Sequence, residues 1–164
     1  MSAVHDVLVN LEDQVRIYRH LLELSSAQLT ALRKQEVHTV HALLQEIEIG
    51  MLDRARLDAR RADVIAAAAA ELGVGIEDVS VTRLEEAAGT VLGPEIARCA
   101  NELRDIVEQL NEVVARNRAL LEHELGVIDQ MVQGMTVDRT ATPVYGNSGA
   151  QRDVPRLRLL DAQV

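Results

Sequence analysis

Apolar residues recur three and four positions apart over three long stretches of the chain, which is the pattern of helices that pack on other helices. The first stretch covers residues 3–33 and has neither Gly nor Pro within it. Its stripe consists of Val4, Leu8, Leu11, Val15, Tyr18, Leu22, Ser25, Leu29 and Leu32. The spacing predicts one uninterrupted helix over residues 3–33.

A second helix is predicted over residues 37–72. The polar residues 33–36 interrupt the stripe, which resumes as a seam at Val37, Val40, Leu44, Ile47 and Met51. We therefore expect a tight turn near residues 34–37. The alternative is one continuous helix to residue 72, which is implausibly long for a monomer. Gly73 suits the position after the helix end, because glycine adopts the left-handed conformation found there.

Residues 73–93 form the one long break before the tail. Thr82 and Glu85 have the spacing of a capping box, which predicts a short helix that starts at Thr82 and ends at Gly89. Pro94 follows Gly93 and suits the first turn of a helix, so we expect the last long helix to open there.

The last helix is predicted over residues 94–135 and organises the rest of the chain. Its seam, close to the 3.5-residue period of helix-on-helix packing, contains Ile96, Cys99, Leu103, Ile106, Leu110 and Val113. Asn117 takes the next place in the seam. An Asn there is either a partly exposed polar residue or the donor of a specific interhelical hydrogen bond that fixes register. Beyond it the stripe shifts to Leu121, Leu125, Ile128, Val132 and Met135.

The stripe stops after residue 135. Residues 136–164 contain Thr, Pro, Gly, Asn and Ser without a period, so a flexible C-terminal tail is predicted. Tyr145, in the context Pro-Val-Tyr-Gly, is either an incidental residue or a short docking motif. The predicted fold is all-α: an elongated antiparallel bundle of three long helices with a short connecting helix, over residues 1–135, followed by the tail.

Composition and charge narrow the function. The chain has no Phe, no Trp and two Tyr, which suits helix seams better than a thick globular core. The formal net charge of −9 argues against nucleic acid and against an anionic membrane surface. No signal peptide or membrane-length apolar run is apparent, so we expect a cytoplasmic protein. Cys99, the single cysteine, is expected to be a buried and unreactive thiol.

Nothing in the sequence points to catalysis. His38 and His41 lie three residues apart but lack accompanying ligands, so a solvated helix face is favoured over a metal site. The dense charges of residues 53–61 are expected to form exposed ion pairs. No phosphate-binding loop or nucleophile motif occurs. We expect a protein that is not an enzyme and that needs no cofactor and no metal.

Several segments resemble the FlgN-type flagellar export chaperones. Residues 111–122 are similar to the last long helix of that family, although Asn111 and Asn117 are spaced more loosely than its Asn-x-x-Asn-x-x-Leu-like signature. Residues 11–32 and 52–56 are similar to its first two helices. The sequence Tyr-Gly-Asn-Ser-Gly at 145–149 matches its Tyr-Gly-x-x-Gly ending. The chain departs from the family at Gln35 and Glu36, where a Gly-Asp-like break is common.

The resemblance implies a cytoplasmic chaperone that binds the C-terminal helices of the flagellar hook–filament junction proteins. It would prevent their premature assembly and deliver them to the type III export gate. The family also implies that a tail tyrosine docks on this gate, and Tyr145 holds that position. Homodimers are compatible with a thin bundle that leaves apolar edges exposed.

A client helix needs an apolar groove, and the end of the last helix is the candidate. The predicted groove residues are Val114, Leu121, Leu125, Ile128, Met131, Val132 and Met135. Flexible Met side chains adapt to varied partners, which favours the Met-rich end. The competing interpretation is that these residues are buried within the bundle. A self-associating scaffold protein without a client is the alternative function.

Overall fold

The computed structural model of the chain describes the backbone of residues 2–138 and the side chains up to Met135. Within these residues the fold is all-α and contains no strand. Three long helices occur, α1 at Ala3–Arg33, α2 at Val37–Leu72 and α3 at Val81–Asp138, with a 3₁₀ turn at Ile76–Asp78 before α3. The predicted all-α architecture of three long helices is confirmed.

The chain divides into two compact units, Met1–Val127 and Ile128–Val164. The first unit contains α1, α2, the 3₁₀ turn and α3 as far as Val127. The described part of the second unit is the last stretch of α3, residues 128–138. This helix continues three residues beyond the predicted end at Met135, and the remainder of the predicted tail, residues 139–164, lies outside the described residues.

The turn between α1 and α2 lies where the polar residues 33–36 predicted it. Gln35 has a φ of 58°, the left-handed conformation that ends many helices. The amide of Gln35 donates to the carbonyl of Leu32, and that of Glu36 donates to the carbonyl of Ala31. These two bonds form a Schellman motif, which reverses the chain without Gly or Pro. Gly73 ends α2 in the same way with a φ of 66°.

Gly50 lies where α2 packs on α1. A Cβ atom built on Gly50 would lie 2.8 Å from Cδ2 of Leu21, and both residues are buried. A glycine in a helix costs about 1 kcal/mol relative to alanine. Here the missing side chain allows the two helices to approach each other.

The start of α3 differs from the prediction. Ser80, not Thr82, caps the helix, because its Oγ accepts a hydrogen bond from the amide of Arg83 at 3.3 Å. The helix then begins at Val81. The predicted capping box at Thr82 and Glu85 is therefore wrong, since the preceding serine already occupies the capping position.

The last long helix also resumes earlier than its predicted start at Pro94. Gly89 breaks the helix with a φ of 69°, and the helical path resumes directly after it. Because one glycine in this conformation redirects the chain, no loop is needed, and Pro94 lies inside the helix instead of opening it. At Gly93 a Cβ atom would come within 2.6 Å of the backbone oxygen of Glu85, so the kink brings the two helical segments into close contact.

The core of the first unit lies where α1 meets α3 and the second half of α2. Three residues of the predicted α3 seam are buried in this core, namely Ile96, Cys99 and Ile106, and Leu110 of the same seam is buried further along α3. Arg19 of α1 pairs with Glu102, and the carbonyl of Ser25 accepts from Asn117 further along α3. Since later residues of α1 contact later residues of α3, these two helices run in parallel. The tight turn after α1 sends α2 in the opposite direction.

Candidate functional site

Asn117 makes an interhelical hydrogen bond. Its side chain is 4% exposed, and its Nδ2 donates to the carbonyl of Ser25 at 2.9 Å and to Oε1 of Gln28 at 3.0 Å. Both acceptors lie on α1. Its Oδ1 is buried without a partner among the described residues. Of the two interpretations drawn from the sequence, the structure agrees with an interhelical hydrogen bond. A role of Asn117 in specificity stays a prediction.

Most of the large apolar residues of α3 from Val114 onward are exposed. All seven predicted groove residues have between 40% and 73% of their surface accessible: Val114, Leu121, Leu125, Ile128, Met131, Val132 and Met135. The first three belong to the first unit and the last four to the second. Leu120 is half-buried, so within the first unit the covered face of α3 continues as far as the turn of helix after Asn117. The exposed residues are large and apolar, which is unusual for a set that recurs along one helix.

The first half of α2 is exposed in a way that the sequence did not predict. The spacing of Val37, Val40, Leu44, Ile47 and Met51 predicted a packing seam. In the structure Val37, Leu44 and Met51 are exposed, and the other two are half-buried. Periodicity shows that an apolar stripe exists, but it does not show whether another helix of the same chain covers that stripe. The sequence did contain one indication of this exposure, because the polar residues Arg54 and Asp58 continue the same heptad positions.

A cleft runs along the second half of α2, where α1 and the 3₁₀ turn line one part of it and α1 and the first half of α3 line the other. A cavity of about 610 Å³ lies beside Tyr18, Ala62, Ile65 and Ile76. A second cavity adjoins it through Arg61 and Ile65, and Leu11, Gln14, Leu103 and Arg104 also line it. The α2–α3 cleft, defined by these two cavities, is lined by apolar side chains together with the polar Gln14 and Ser80, the acidic Asp58 and the two arginines.

Charged residues of α2 lie around Tyr18 on one wall of the cleft. The guanidinium of Arg54 lies 5.7 Å from the centre of the Tyr18 ring and donates to Asp58 at 3.3 Å. Arg56 pairs with Asp53 on the other side of α2 at 3.1 Å. The charge-dense segment 53–61 thus forms exposed pairs, each worth only about 0–1 kcal/mol.

Among the described residues, neither Cys99 nor the histidines form a recognisable catalytic or metal-binding arrangement. Cys99 is buried, and this burial raises the pKa of its thiol despite the positive charge of Arg98 beside it. A thiol that stays protonated is a poor nucleophile. Within residues 2–138 no three His, Cys, Asp or Glu side chains lie close enough together to hold a metal ion. His38 and His41 are exposed on the surface of α2.

Two further observations concern the remaining predictions. Tyr145, the predicted gate-docking residue, lies outside the described residues. None of the described helices is both long enough and apolar enough to cross a membrane.

The comparison with protein families decides the family. A family model described as FlgN protein matches residues 1–153 of the 164 residues. The chain belongs to the FlgN family. This is a family of flagellar export chaperones, as the resemblance of the helices and the tail had indicated. Searches of curated proteins and of solved structures found no match.

Proposed function

We propose that the chain is a cytoplasmic chaperone for the flagellar hook–filament junction proteins. It binds the C-terminal helices of these proteins, prevents their premature assembly and delivers them to the type III export gate. The exposed apolar surface of α3 carries the proposal, together with membership of the FlgN family. A subunit that polymerises through its terminal helices must have those helices covered until export.

The chemistry of the α3 surface suits an amphipathic helix. Exposed valine and leucine side chains recur along α3 from Val114 to Leu125 in the first unit, and isoleucine, valine and methionine side chains recur from Ile128 to Met135 in the second. A helix can bury its apolar face on a surface of either kind. Burying apolar area yields roughly 25 cal/mol per Å². Methionines at positions 131 and 135 have flexible side chains that fit more than one partner, which suits a chaperone with more than one client.

The gate-docking step is assigned to Tyr145. Its position after the last helix and its Tyr-Gly context support this assignment, and it falls within the matched residues 1–153. The acidic net charge of −9 supports a protein that contacts other proteins and avoids nucleic acid and anionic lipid. Separate segments for client and gate would allow both to be held at once.

The experiment is a pull-down from the native cytoplasm with the intact chain and with Met131→Asp. The intact chain is expected to recover the hook–filament junction proteins, and the variant is expected to lose them because a carboxylate cannot be buried in the apolar contact. Val91→Asp is the matched control, since Val91 is 78% exposed on the same helix but lies outside the proposed surface. Tyr145→Ala should retain the client and lose the export gate.

Recovery of the chain alone, with no junction protein, would contradict the chaperone function. If the chain then sedimented as a tight oligomer, the self-associating scaffold would be the better account. Equal loss of clients in Met131→Asp and in Val91→Asp would place the binding surface elsewhere.

A further inference from the structure

The uncovered stripe on α2 faces the same cleft as part of the exposed stripe on α3. On α2 the cleft is lined by Asp58, Ala62 and Ile65. Residues seven apart return to nearly the same side of a helix. Counting back from Ile65 in sevens gives Asp58, Met51, Leu44 and Val37. The exposed residues Met51 and Leu44 therefore continue the cleft wall along the first half of α2.

The same count applies to α3 within the first unit. Ala100, Leu103 and Arg104 line the cleft. Counting forward in sevens from Ala100 gives Val107, Val114 and Leu121, and Leu121 is also five full turns of 3.6 residues beyond Leu103. Val107 is half-buried, and Val114 and Leu121 are exposed. The exposed α3 residues therefore continue the opposite wall.

The opposite flank of α2 provides an internal check. Gly50 faces α1, where it contacts Leu21. Successive residues are 100° apart, so Ile49 and Met51 project to opposite sides of Gly50. A separate surface depression on the Ile49 side is lined by Asp53, Arg56 and Leu57 with residues of α1. Ile49 thus lies away from the cleft, although it is more exposed than Met51.

The length of its α2 wall and the charges of its lining suit a cleft that receives one helix. The α2 wall from Val37 to Ile65 is about 42 Å long at 1.5 Å per residue. A heptad stripe of this kind is normally covered by a neighbouring helix. Arg61 and Arg104 line the cleft on its two walls, and the acidic Asp58, which lines the neighbouring part of the α2 wall, is already paired with Arg54. The occupant that fits is an amphipathic helix with carboxylates at the end that lies beside these arginines.

We propose that the client helix lies between α2 and α3, with Leu44 and Met51 as the second wall of its binding site. This inference rests on the proposed function, which assigns client binding to α3 alone. The acidic end of the client helix lies beside Arg61 and Arg104. A second copy of this chain is the competing occupant, and the experiment below separates the two.

The test is a fluorescence anisotropy titration with a labelled synthetic peptide, the C-terminal helical segment of a hook–filament junction protein from the same organism. Leu44→Asp and Met51→Asp are expected to weaken binding by about tenfold or more, as for a residue at the centre of an interface. Ile49→Asp is the matched control and should bind within about twofold of the unsubstituted chain. Arg61→Glu should weaken binding and reduce its salt dependence, whereas Arg56→Glu should do neither.

A footprint keeps the test independent of folding defects. Met51→Cys and Ile49→Cys introduce exposed thiols, while the native Cys99 is buried and its thiol has a raised pKa. Saturating peptide should slow maleimide labelling of Met51→Cys by about tenfold and leave labelling of Ile49→Cys unchanged.

The outcomes distinguish the proposals. If Leu121→Asp loses the peptide while Leu44→Asp and Met51→Asp retain it, and Met51→Cys is not protected, the second wall is refuted and the proposed function stands. If the unsubstituted chain fails to bind the peptide, the proposed function itself fails. If Met51→Asp changes a monomer–dimer equilibrium in sedimentation but not peptide binding, a second copy occupies the stripe and the inference is wrong.

Discussion

The buried hydrogen bonds of Asn117 lead to a quantitative prediction for stability. Asn117→Ala removes two bonds, each worth about 0.5–1.5 kcal/mol net. It also leaves Oε1 of Gln28 buried and unpaired, while the carbonyl of Ser25 keeps its backbone hydrogen bond within helix α1. Removing the unpaired Oδ1 of Asn117 offsets part of this loss. We expect the free energy of unfolding to fall by about 2 kcal/mol.

Helix propensity must be separated from the tertiary bonds, and the chain offers a control. Asn111 is exposed on the same helix, six residues before Asn117. Asn111→Ala should raise stability by about 0.5 kcal/mol, because alanine is the better helix former. The difference between the two variants therefore measures what burial and hydrogen bonding contribute at position 117.

The assay is equilibrium urea unfolding followed by helical circular dichroism, with Asn117→Ala, Gln28→Ala and the double variant. Residues that share a hydrogen bond should couple by about 1 kcal/mol in this cycle. If the two single changes add within about 0.3 kcal/mol, the reasoning is refuted, and Asn117 does not act through Gln28.

Three further predictions concern the backbone and the carboxylates. Gly93→Ala should lower the free energy of unfolding by about 1–2 kcal/mol, because the new Cβ atom meets a backbone oxygen. Gly126→Ala should raise it by about 1 kcal/mol, because position 126 has open space and alanine is the better helix former. Urea unfolding of both variants tests the prediction, which requires changes of opposite sign. Gln35→Gly should raise the midpoint of thermal unfolding by about 2–4 °C, since glycine adopts the left-handed φ without strain, and an unchanged or lower midpoint would contradict this. The hydrogen bonds from the hydroxyl of Ser2 and then the amide of Ala3 lower the pKa of Glu71, so this carboxylate stabilises the fold above its ordinary pKa and loses that effect as the pH falls through the lowered value. The stability difference between Glu71→Gln and the unsubstituted chain should therefore be present at pH 7 and shrink below about pH 4, and a constant difference would exclude the linkage.

The helix boundaries followed from periodicity because the apolar stripes are long. The ends at Arg33 and Leu72 lie where the stripes lose phase, and Gly73 supplies the expected left-handed cap. The predicted start of α3 was wrong for a local reason. Ser80 and Thr82 both fit a cap, and only the three-dimensional path selects one. Gly89 was identified as a break, but its conformation, which removes the need for a loop before Pro94, is a property of the fold.

The candidate surface was predictable in part. The shift of stripe after Asn117 indicated that the end of α3 packs differently, and Leu121 and Leu125 are indeed exposed. The α2 stripe through Leu44 and Met51 was predicted as a seam, because spacing alone does not distinguish a stripe that is covered by its own chain from one that awaits a partner. The distinction depends on which helices of the chain pack against the stripe, and that is a property of the tertiary fold.

The most direct test of the chaperone account is the affinity of the purified chain for a purified hook–filament junction protein, measured by isothermal titration. The account predicts a one-to-one complex that Leu125→Asp weakens by about tenfold or more, with Val91→Asp unchanged. Absence of binding by the unsubstituted chain, or equal binding by Leu125→Asp, would contradict the claim that the exposed face of α3 receives the client.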